Sequence, residues 1–253
     1  MAAAVGPCGA PTAVSTTAFQ FDPSDRIVLP VQVDGAPHTF VLDTSTRSTI
    51  SAGLARALNR PVRTNRHGER TVDDVSVELL GVSLPHQVLY VSNEPMSYDG
   101  VVGAELCSRF VVRVDLDARR IVLWERSVAI DARHAEILPA DFSADVPVIK
   151  ARIRAAGVNP ADAALIVGLA EPPGTVSFTY RYAADAGLLD ASINGTLPIE
   201  IGGVTTSPLS AVARLPREPD QKLLFADGIV SARALTRSWI VFDAPRARIV
   251  IGR

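Results

Sequence analysis

A stretch of 25 residues occurs twice in this chain, and this duplication restricts the architecture more than any other pattern. Residues 99–123 (DGVVGAELCSRFVVRVDLDARRIVL) match residues 227–251 (DGIVSARALTRSWIVFDAPRARIVI) without a gap, at a constant offset of 128 positions. The identical positions are Asp99/Asp227, Gly100/Gly228, Val102/Val230, Ala104/Ala232, Arg109/Arg237, Asp115/Asp243, Arg120/Arg248, Ile121/Ile249 and Val122/Val250. Two copies are too few for a solenoid, so the repeat predicts two related halves with a pseudo-twofold relationship.

Both halves have the pattern of β structure. Short runs rich in Val and Ile are broken by Gly, Asn, Asp and Pro at turn-like spacing, whereas helical periodicity is scarce. The best short helices are predicted at residues 51–59 and 178–189, one in each half. We therefore predict an all-β protein with few short helices. Its predicted parts are an N-terminal tail (1–19), a first lobe (20–126), a linker (127–143) and a second lobe (144–253).

Composition narrows the classes of partner. The net charge of −2 gives no reason to expect binding to nucleic acid or to an anionic membrane surface. No apolar run reaches the roughly 18 residues of a membrane helix, and residues 1–19 lack the pattern of a signal peptide. Two cysteines cannot build a disulfide framework, and Cys107 is interpreted as a small core residue. We expect a cytoplasmic protein, and its Ala, Val and Arg bias is typical of GC-rich bacterial genomes.

One motif in the first half carries a family resemblance. In the stretch FVLDTSTRSTIS (40–51), an apolar run ends at Asp43 and hydroxylated residues follow, while an apolar-apolar-Gly stretch (VVG) lies at 101–103. This arrangement resembles the aspartic peptidases of the pepsin and retropepsin type, in which a strand ends in Asp-Thr-Gly-Ser/Ala. The resemblance covers most of the first half and extends more weakly over the second. It implies a two-lobe, pepsin-like fold with a ligand cleft between the lobes.

The same resemblance implies a role for each residue of the motif. Family catalysis uses two carboxylates, one from each lobe, which share a proton; one takes a proton from water and the other gives one to the substrate carbonyl. Asp43 would be the first of these carboxylates. Thr44 would donate a hydrogen bond across to the other lobe, and Thr46 would hold the carboxylate. Ser45 stands where the family has Gly, so it narrows the space beside Asp43. Thr44, Ser45 and Thr46 are together expected to support the carboxylate.

The second half lacks the matching carboxylate. Within ALIVGLAEPPGTVS (164–177), alignment from the apolar run places Val167 opposite Asp43, whereas alignment from the far end places Leu169 there. Neither residue can take part in a shared-proton pair. Ser231 also replaces the Gly of the apolar-apolar-Gly stretch in the second copy. The sequence therefore predicts that the second lobe has kept the fold and lost the catalytic group.

Three other residues are candidates for the site. Glu171 is the only carboxylate in the altered loop, and it is either a substitute for the missing aspartate or a solvated loop residue. Residues 63–74 lie where the family has a hairpin flap, with Gly68 as its tip and His67 facing the ligand; the alternative is a polar surface hairpin. No zinc or phosphate-binding motif occurs, so we expect no metal and no cofactor.

Three functions remain open. The favoured one is a repurposed, non-proteolytic enzyme that uses Asp43 as a lone general acid or base on a small molecule, for example in a natural-product cyclisation or isomerisation. The second is an active aspartic peptidase in which Glu171, or the Asp43 of a second copy, supplies the other carboxylate. The third is a non-catalytic pseudoprotease that binds a peptide. We expect a monomer with a small-molecule or peptide ligand in the interlobe cleft, and the second function leaves a dimer open.

Overall fold

The computed structural model describes residues 13–66, 68–154, 159–188, 196–197, 199–201, 204–205, 209–214, 225–236 and 238–252. Within these residues the chain is mostly β-strand with a few short helices, as the sequence predicts. None of the helices in this part of the chain is long and apolar enough to cross a membrane.

The elements follow one another in a similar order in the two halves. The first half contains β1 (Ser15–Ala18), β2 (Gln20–Phe21), β3 (Ile27–Val33), β4 (Ala36–Leu42), β5 (Thr49–Ile50), α1 (Ala52–Ala57), β6 (Val62–Thr64), β7 (Arg70–Leu79), β8 (Val82–Val91), β9 (Gly100–Val102), α2 (Glu105–Arg109), β10 (Val111–Asp115) and β11 (Arg120–Trp124). The second contains β12 (Glu136–Asp141), β13 (Val148–Ile153), β14 (Ala161–Gly168), β15 (Thr175–Thr179), α3 (Tyr180–Asp185), β16 (Thr196–Leu197), β17 (Ile199–Ile201), β18 (Val204–Thr205), β19 (Leu209–Arg214), β20 (Gly228–Ser231), α4 (Ala232–Leu235), β21 (Trp239–Asp243), a 3-10 turn (Ala244–Arg246) and β22 (Arg248–Ile251).

The described strands form two sheets. One sheet, in the order β2-β3-β4-β9-β5-β8-β7-β6, is built from the first half alone. The other begins β1-β11-β10-β21-β22-β12 and continues β13-β14-β20-β15-β19-β16, with β17 paired to β13 and to β18. Strands of the two halves are therefore neighbours where β10 pairs with β21.

The two copies of the repeat have matching strand pairings. β10 and β11 are antiparallel with Val112 opposite Leu123, and β21 and β22 are antiparallel with Ile240 opposite Ile251. The second pair is the first displaced by 128 positions. β10 and β21 also run antiparallel to each other.

Strand burial shows where the core lies. In β3 the inward residues Ile27, Leu29, Val31 and Val33 alternate with more exposed ones, because successive side chains of a strand point to opposite faces. All four residues of β20 are buried, as are the last four of β14. These two strands are covered on both faces, so the point where β14 ends lies inside the protein.

Two predicted boundaries fall within regular structure. β1 pairs with β11 and Phe19 is buried, so residues 15–19 belong to the sheet and not to a tail. β12 lies inside the predicted linker and pairs with β22 and β13. Only two residues of β12, Leu138 and Ala140, are buried. A strand with so few inward apolar residues gives too short an alternation to be recognised in the sequence.

Part of the predicted linker is held by a buried carboxylate. Asp243 is fully buried and accepts hydrogen bonds from Arg246 (Nη1 to Oδ1, 3.1 Å) and Arg248 (Nε to Oδ2, 2.8 Å). The same two guanidinium groups donate to backbone carbonyl groups within residues 127–130, at 2.9 to 3.3 Å. This network fixes the segment between the halves against the sheet that both halves share.

Candidate functional site

Asp43 follows the last residue of β4, and its backbone N–H donates to the carbonyl oxygen of Val102 in β9 (2.9 Å). Ser45 provides the partners of the carboxylate: its N–H donates to Oδ1 at 2.9 Å, and its hydroxyl lies 2.8 Å from Oδ1 and 2.9 Å from Oδ2. Hydrogen bonds to an ionised carboxylate are stronger than neutral ones. Asp43 is half-buried whereas Ser45 is buried, so the carboxylate is held from one side and keeps access to solvent.

The threonines on either side of Ser45 have different partners. The Thr44 hydroxyl donates to the carbonyl oxygen of Val167 at 2.7 Å, and this buried hydrogen bond joins the Asp43 loop to β14. The Thr46 hydroxyl donates to the carbonyl oxygen of the next residue at 3.4 Å. Of the three residues expected to support the carboxylate, Ser45 has its hydroxyl against the carboxylate, whereas the hydroxyls of Thr44 and Thr46 donate to backbone carbonyl groups. Serine carries a hydroxyl group that the glycine of the family lacks. Ser45 is also nearer to Asp43 along the chain than Thr46 is.

Gly103 packs directly on the loop that follows Asp43. A Cβ added to Gly103 would lie 2.3 Å from the carbonyl carbon of Arg47 and 2.3 Å from the nitrogen of Ser48. The Gly103 N–H also donates to the Ser48 hydroxyl at 2.9 Å. Only glycine lets the two backbones approach so closely. The apolar-apolar-Gly stretch and the Asp43 loop therefore form one packed unit.

Strand pairing identifies the counterpart of the aspartate in the second half. β4 and β9 are parallel with Phe40 opposite Gly100, and β14 and β20 are parallel with Leu165 opposite Gly228. The two glycines are equivalent in the sequence repeat, so Phe40 and Leu165 hold equivalent places. Three positions further along each strand, the residue equivalent to the aspartate is Gly168.

This result corrects both sequence alignments, which placed Val167 or Leu169 opposite Asp43. Because the end of β14 is buried on both faces, its residues show no alternation that would fix the alignment to within one position. The loop after Gly168 is also longer than the one after Asp43. Leu165 and Phe178, which both pair with Gly228, are 13 positions apart, whereas Phe40 and Ile50, which both pair with Gly100, are 10 positions apart. Alignment from the far end therefore fails as well.

Glu171 lies beside Gly168, the residue without a side chain at the place equivalent to Asp43. A Cβ added to Gly168 would be 3.0 Å from Cγ of Glu171 and 3.3 Å from Cβ of Ser45. These two carbons are thus at most about 6 Å apart, the sum of the two distances. The hydroxyl of Ser231 donates to the Glu171 backbone carbonyl at 3.2 Å and anchors the loop. The structure therefore brings Glu171 next to the residue that holds the Asp43 carboxylate.

The predicted flap is a hairpin formed by β6 and β7. Its turn is closed by the N–H of Gly68, which donates to the Asn65 carbonyl (3.0 Å), and by the N–H of Glu69, which donates to Asn65 Oδ1 (3.0 Å). Gly68 has a φ of +79°, which favours glycine. His67 lies outside the described residues.

Arg47 connects this turn to the Asp43 loop. Its Nη1 lies 3.6 Å from Oε1 of Glu69, and its guanidinium carbon lies 5.5 Å from the centre of the Tyr90 ring. The hairpin turn is therefore next to a residue only four positions after Asp43. Sequence reasoning missed Arg47, although a single cation within the hydroxylated stretch TSTRST is a visible signal.

We expect Glu69→Ala to loosen the hairpin turn. The variant removes the partly exposed Arg47 pair and also the hydrogen bond that Asn65 Nδ2 donates to Glu69 Oε2 (2.7 Å). The two losses together should cost about 1 kcal/mol, which corresponds to about 5-fold faster hydrogen exchange at residues 62–72. Asp73→Ala is the matched control, because Asp73 pairs with Arg63 within the same hairpin. Equal acceleration in both variants would contradict a specific contact between the turn and the Asp43 loop.

Neither the thiol of Cys107 nor a metal-binding cluster provides a second site in the described part of the chain. Cys107 is buried, and burial raises the pKa of its thiol, which therefore stays protonated as a core side chain. Across the described part of the chain, no cluster of three or more His, Cys, Asp or Glu residues is placed to hold a metal ion. The arrangement around Asp43 is thus the candidate site.

Comparison with known proteins gives similarity at the level of structure. No protein-family model matches the chain, and no curated protein matches it. Among solved structures, the chain is similar to a retropepsin-like aspartic protease from Rickettsia conorii, with 17% sequence identity and a TM-score of 0.37. The similarity covers 43% of this chain and 88% of that chain.

Proposed function

We propose that the chain has the two-lobe architecture of pepsin-like aspartic peptidases, with lobes near 20–126 and 144–253 and a cleft between them. Support comes from the strand pairs that recur at equivalent positions of the repeat and from the antiparallel pairing of β10 with β21. The hydrogen bond from the Thr44 hydroxyl to the Val167 carbonyl, which joins the Asp43 loop to β14, supports a cleft at Asp43. A monomeric state and a cytoplasmic location belong to the same proposal and rest on the sequence alone.

We propose further that the protein is a non-proteolytic enzyme in which Asp43 acts as a lone general acid or base on a small molecule. The observation that carries this proposal is the strand pairing, which supports Gly168 as the residue of the second half equivalent to Asp43. A glycine has no carboxyl group to share a proton. One positioned carboxylate is sufficient for proton transfer, as in a cyclisation or isomerisation, because each needs a proton removed or added at a defined atom.

Ser45 supports this reading over conventional peptide hydrolysis. Its side chain fills part of the space beside Gly168, so a peptide carbonyl and its attacking water have less room than in a site with glycine there. The Ser45 hydroxyl also lies within hydrogen-bond distance of both oxygens of Asp43. These contacts favour a carboxylate that is fixed in orientation and handles one proton by itself.

An active aspartic peptidase is the second candidate, and one observation favours it. Cγ of Glu171 lies 3.0 Å from the place where a Cβ at position 168 would be. A glutamate that approaches from a neighbouring loop position would supply the second carboxylate without being part of β14. In this alternative, Asp43 and Glu171 act as a pair, and the loss of either one abolishes hydrolysis.

We expect no conventional peptidase activity. Statine-type inhibitors mimic water added to a peptide carbonyl and need two carboxylates, so they should bind poorly. The measurement is cleavage of a denatured protein at about pH 3–5, where one carboxyl group of a pair is protonated and the other ionised. Inhibitor-sensitive cleavage that disappears in both Asp43→Asn and Glu171→Gln would establish the second candidate instead.

The non-proteolytic function is tested by metabolite profiling. Wild type and Asp43→Asn are incubated in parallel with a metabolite extract from the source organism, and mass spectrometry follows each compound. A compound that is consumed by wild type and left unchanged by Asp43→Asn supports the proposal and provides the substrate. If both proteins leave every compound unchanged and bind peptides equally well, a non-catalytic peptide-binding function is the better account.

A further inference from the structure

Equivalent positions of the repeat, 105 and 233, carry side chains that bind different parts of the first half. Glu105, at the start of α2, belongs to the first half, and its carboxylate accepts hydrogen bonds from the N–H (2.9 Å) and the hydroxyl (3.0 Å) of Ser48. Arg233, in α4, reaches across from the second half, and its Nη1 donates to the backbone carbonyl oxygen of Asp25 at 2.9 Å. The two copies thus share a backbone position, and the second copy uses it to join the halves.

The ring of Phe21 is a second partner of Arg233. The guanidinium carbon lies 4.6 Å from the ring centre, which is within the range of cation–π attraction. Phe19, which is buried, packs edge-on against the same ring with 5.2 Å between the ring centres, so the ring has a fixed position. The Arg233 side chain is only 20% exposed, and the resulting shielding from water strengthens both contacts. Arg233 therefore fastens α4 to the end of β2 and to the turn that follows it.

The turn between β2 and β3, which carries Asp25, is braced by a carboxylate. Asp22 accepts hydrogen bonds from the N–H groups of Ser24 (2.9 Å) and Arg26 (2.8 Å) and from Nε of Arg26 (2.9 Å). The hydroxyl of Tyr98 donates to the same carboxylate, and the guanidinium carbon of Arg26 lies 4.8 Å from the centre of the Tyr98 ring. A carbonyl on this turn is thus a fixed acceptor, and the turn itself is tied to Tyr98.

Both ends of the Arg233 contact lead to the Asp43 site. In the first half, Tyr98 lies two residues before β9, and β9 provides the carbonyl that accepts the hydrogen bond of the Asp43 N–H. In the second half, Arg233 lies two residues after Ser231, which pairs with Gly168 where β20 and β14 end. A link between these two ends restrains the distance between Asp43 and Gly168.

We infer that Arg233 is a positioning residue, which holds the two halves at the separation that the reaction at Asp43 requires. For its effect on turnover this inference rests on the proposed function, whereas its effect on the structure follows from the contacts alone. The hydrogen bond from Thr44 to Val167 also joins the halves, so the protein should stay folded when Arg233 is replaced. What should change is the alignment of Gly168 with Asp43, because one of the restraints between them is gone.

Arg119 provides a matched control for a variant of Arg233. Its guanidinium carbon lies 5.6 Å from the centre of the same Phe21 ring, but Arg119 and Phe21 both belong to the first half. Arg119→Met and Arg233→Met each remove one guanidinium group and keep an unbranched side chain. We expect the first variant to raise the equilibrium constant of unfolding about 2–5-fold, and the second, which also loses a hydrogen bond, about tenfold.

Backbone N–H signals in nitrogen-15 NMR spectra report on the site itself, without knowledge of the substrate. Arg233→Met should shift the signals of Asp43, Ser45 and Gly168, whereas Arg119→Met should leave them in place. Arg233→Lys should move them less than Arg233→Met does, because an ammonium group can still donate to the carbonyl on the turn. The comparison of the two methionine variants separates alignment of the halves from a general loss of stability.

The outcomes separate this inference from the proposed function. Unchanged Asp43 and Ser45 signals in Arg233→Met, or equal shifts in Arg119→Met, would overturn the inference whatever the activity. On the substrate that metabolite profiling provides, we expect kcat of Arg233→Met to fall about 10–100-fold, because small displacements from a reactive geometry are costly. Shifts without a fall in kcat would overturn the inference too. Turnover by Asp43→Asn would refute the proposed function, and the NMR result would still show that Arg233 sets the geometry of Asp43.

Discussion

Asp43→Asn is expected to abolish turnover of the substrate while leaving the melting temperature close to that of wild type. Asparagine has the shape of aspartate, and its Oδ1 can still accept hydrogen bonds from the N–H and hydroxyl of Ser45. The fold therefore loses little. The amide cannot exchange a proton, so a general acid–base contribution of about 10²–10⁴-fold should disappear. The measurement is kcat/KM and Tm on the same preparations.

The opposite pattern would identify Asp43 as a structural residue. If the carboxylate serves mainly to order the loop, Asp43→Asn should lose about 1 kcal/mol of stability or more, and the folded fraction should keep its activity. Ser45→Gly provides an independent comparison. It restores the family triplet and removes the hydroxyl from the carboxylate, yet it should not create peptidase activity, because Gly168 still lacks a carboxyl group.

The mostly-β character of the repeat was predictable because its strands pair within each copy. β10 with β11 and β21 with β22 are antiparallel neighbours, so each copy carries most of its own pairing information in a short segment. The N-caps also recur: Ser51 and Thr179 each accept a hydrogen bond from the N–H three residues later, at the start of α1 and α3. Local signals of this kind are independent of the rest of the fold.

The site was less predictable because it depends on contacts between distant segments. The place of Gly168 follows from pairing with β20, some 60 positions away, and a strand buried on both faces gives no pattern that reveals it. The contact between Arg47 and Glu69 depends likewise on how the hairpin folds over the loop. For the carboxylate of Asp43, the sequence named three hydroxylated residues as support, and it gave no signal that the hydroxyl of Ser45 is the one that lies against both oxygens.

Substitution of Gly103 by alanine should have the largest effect on stability among the changes considered for this site. The added Cβ would lie 2.3 Å from backbone atoms of Arg47 and Ser48, and 2.5 Å from the carbonyl oxygen of Thr46. Backbone atoms cannot rotate away as a flexible side chain can, so the whole loop must move. Overpacking of this kind costs about 3 kcal/mol or more, which lowers Tm by roughly 10 °C in a chain of this size.

The same substitution should also impair the site, because the displaced loop carries Asp43. Gly53→Ala, in α1, is the matched control, because the added Cβ would make an ordinary 3.6 Å contact with the hydroxyl of the N-cap residue Ser51. This variant should melt at or above the wild-type temperature, since alanine favours a helix more than glycine does. The second half shows how a side chain is accommodated at the equivalent position. There the loop after Gly168 is longer, and the hydroxyl of Ser231 donates to the backbone carbonyl of Glu171 in that loop. A Gly103→Ala protein that melts like wild type would mean that the Asp43 loop does not depend on this close packing.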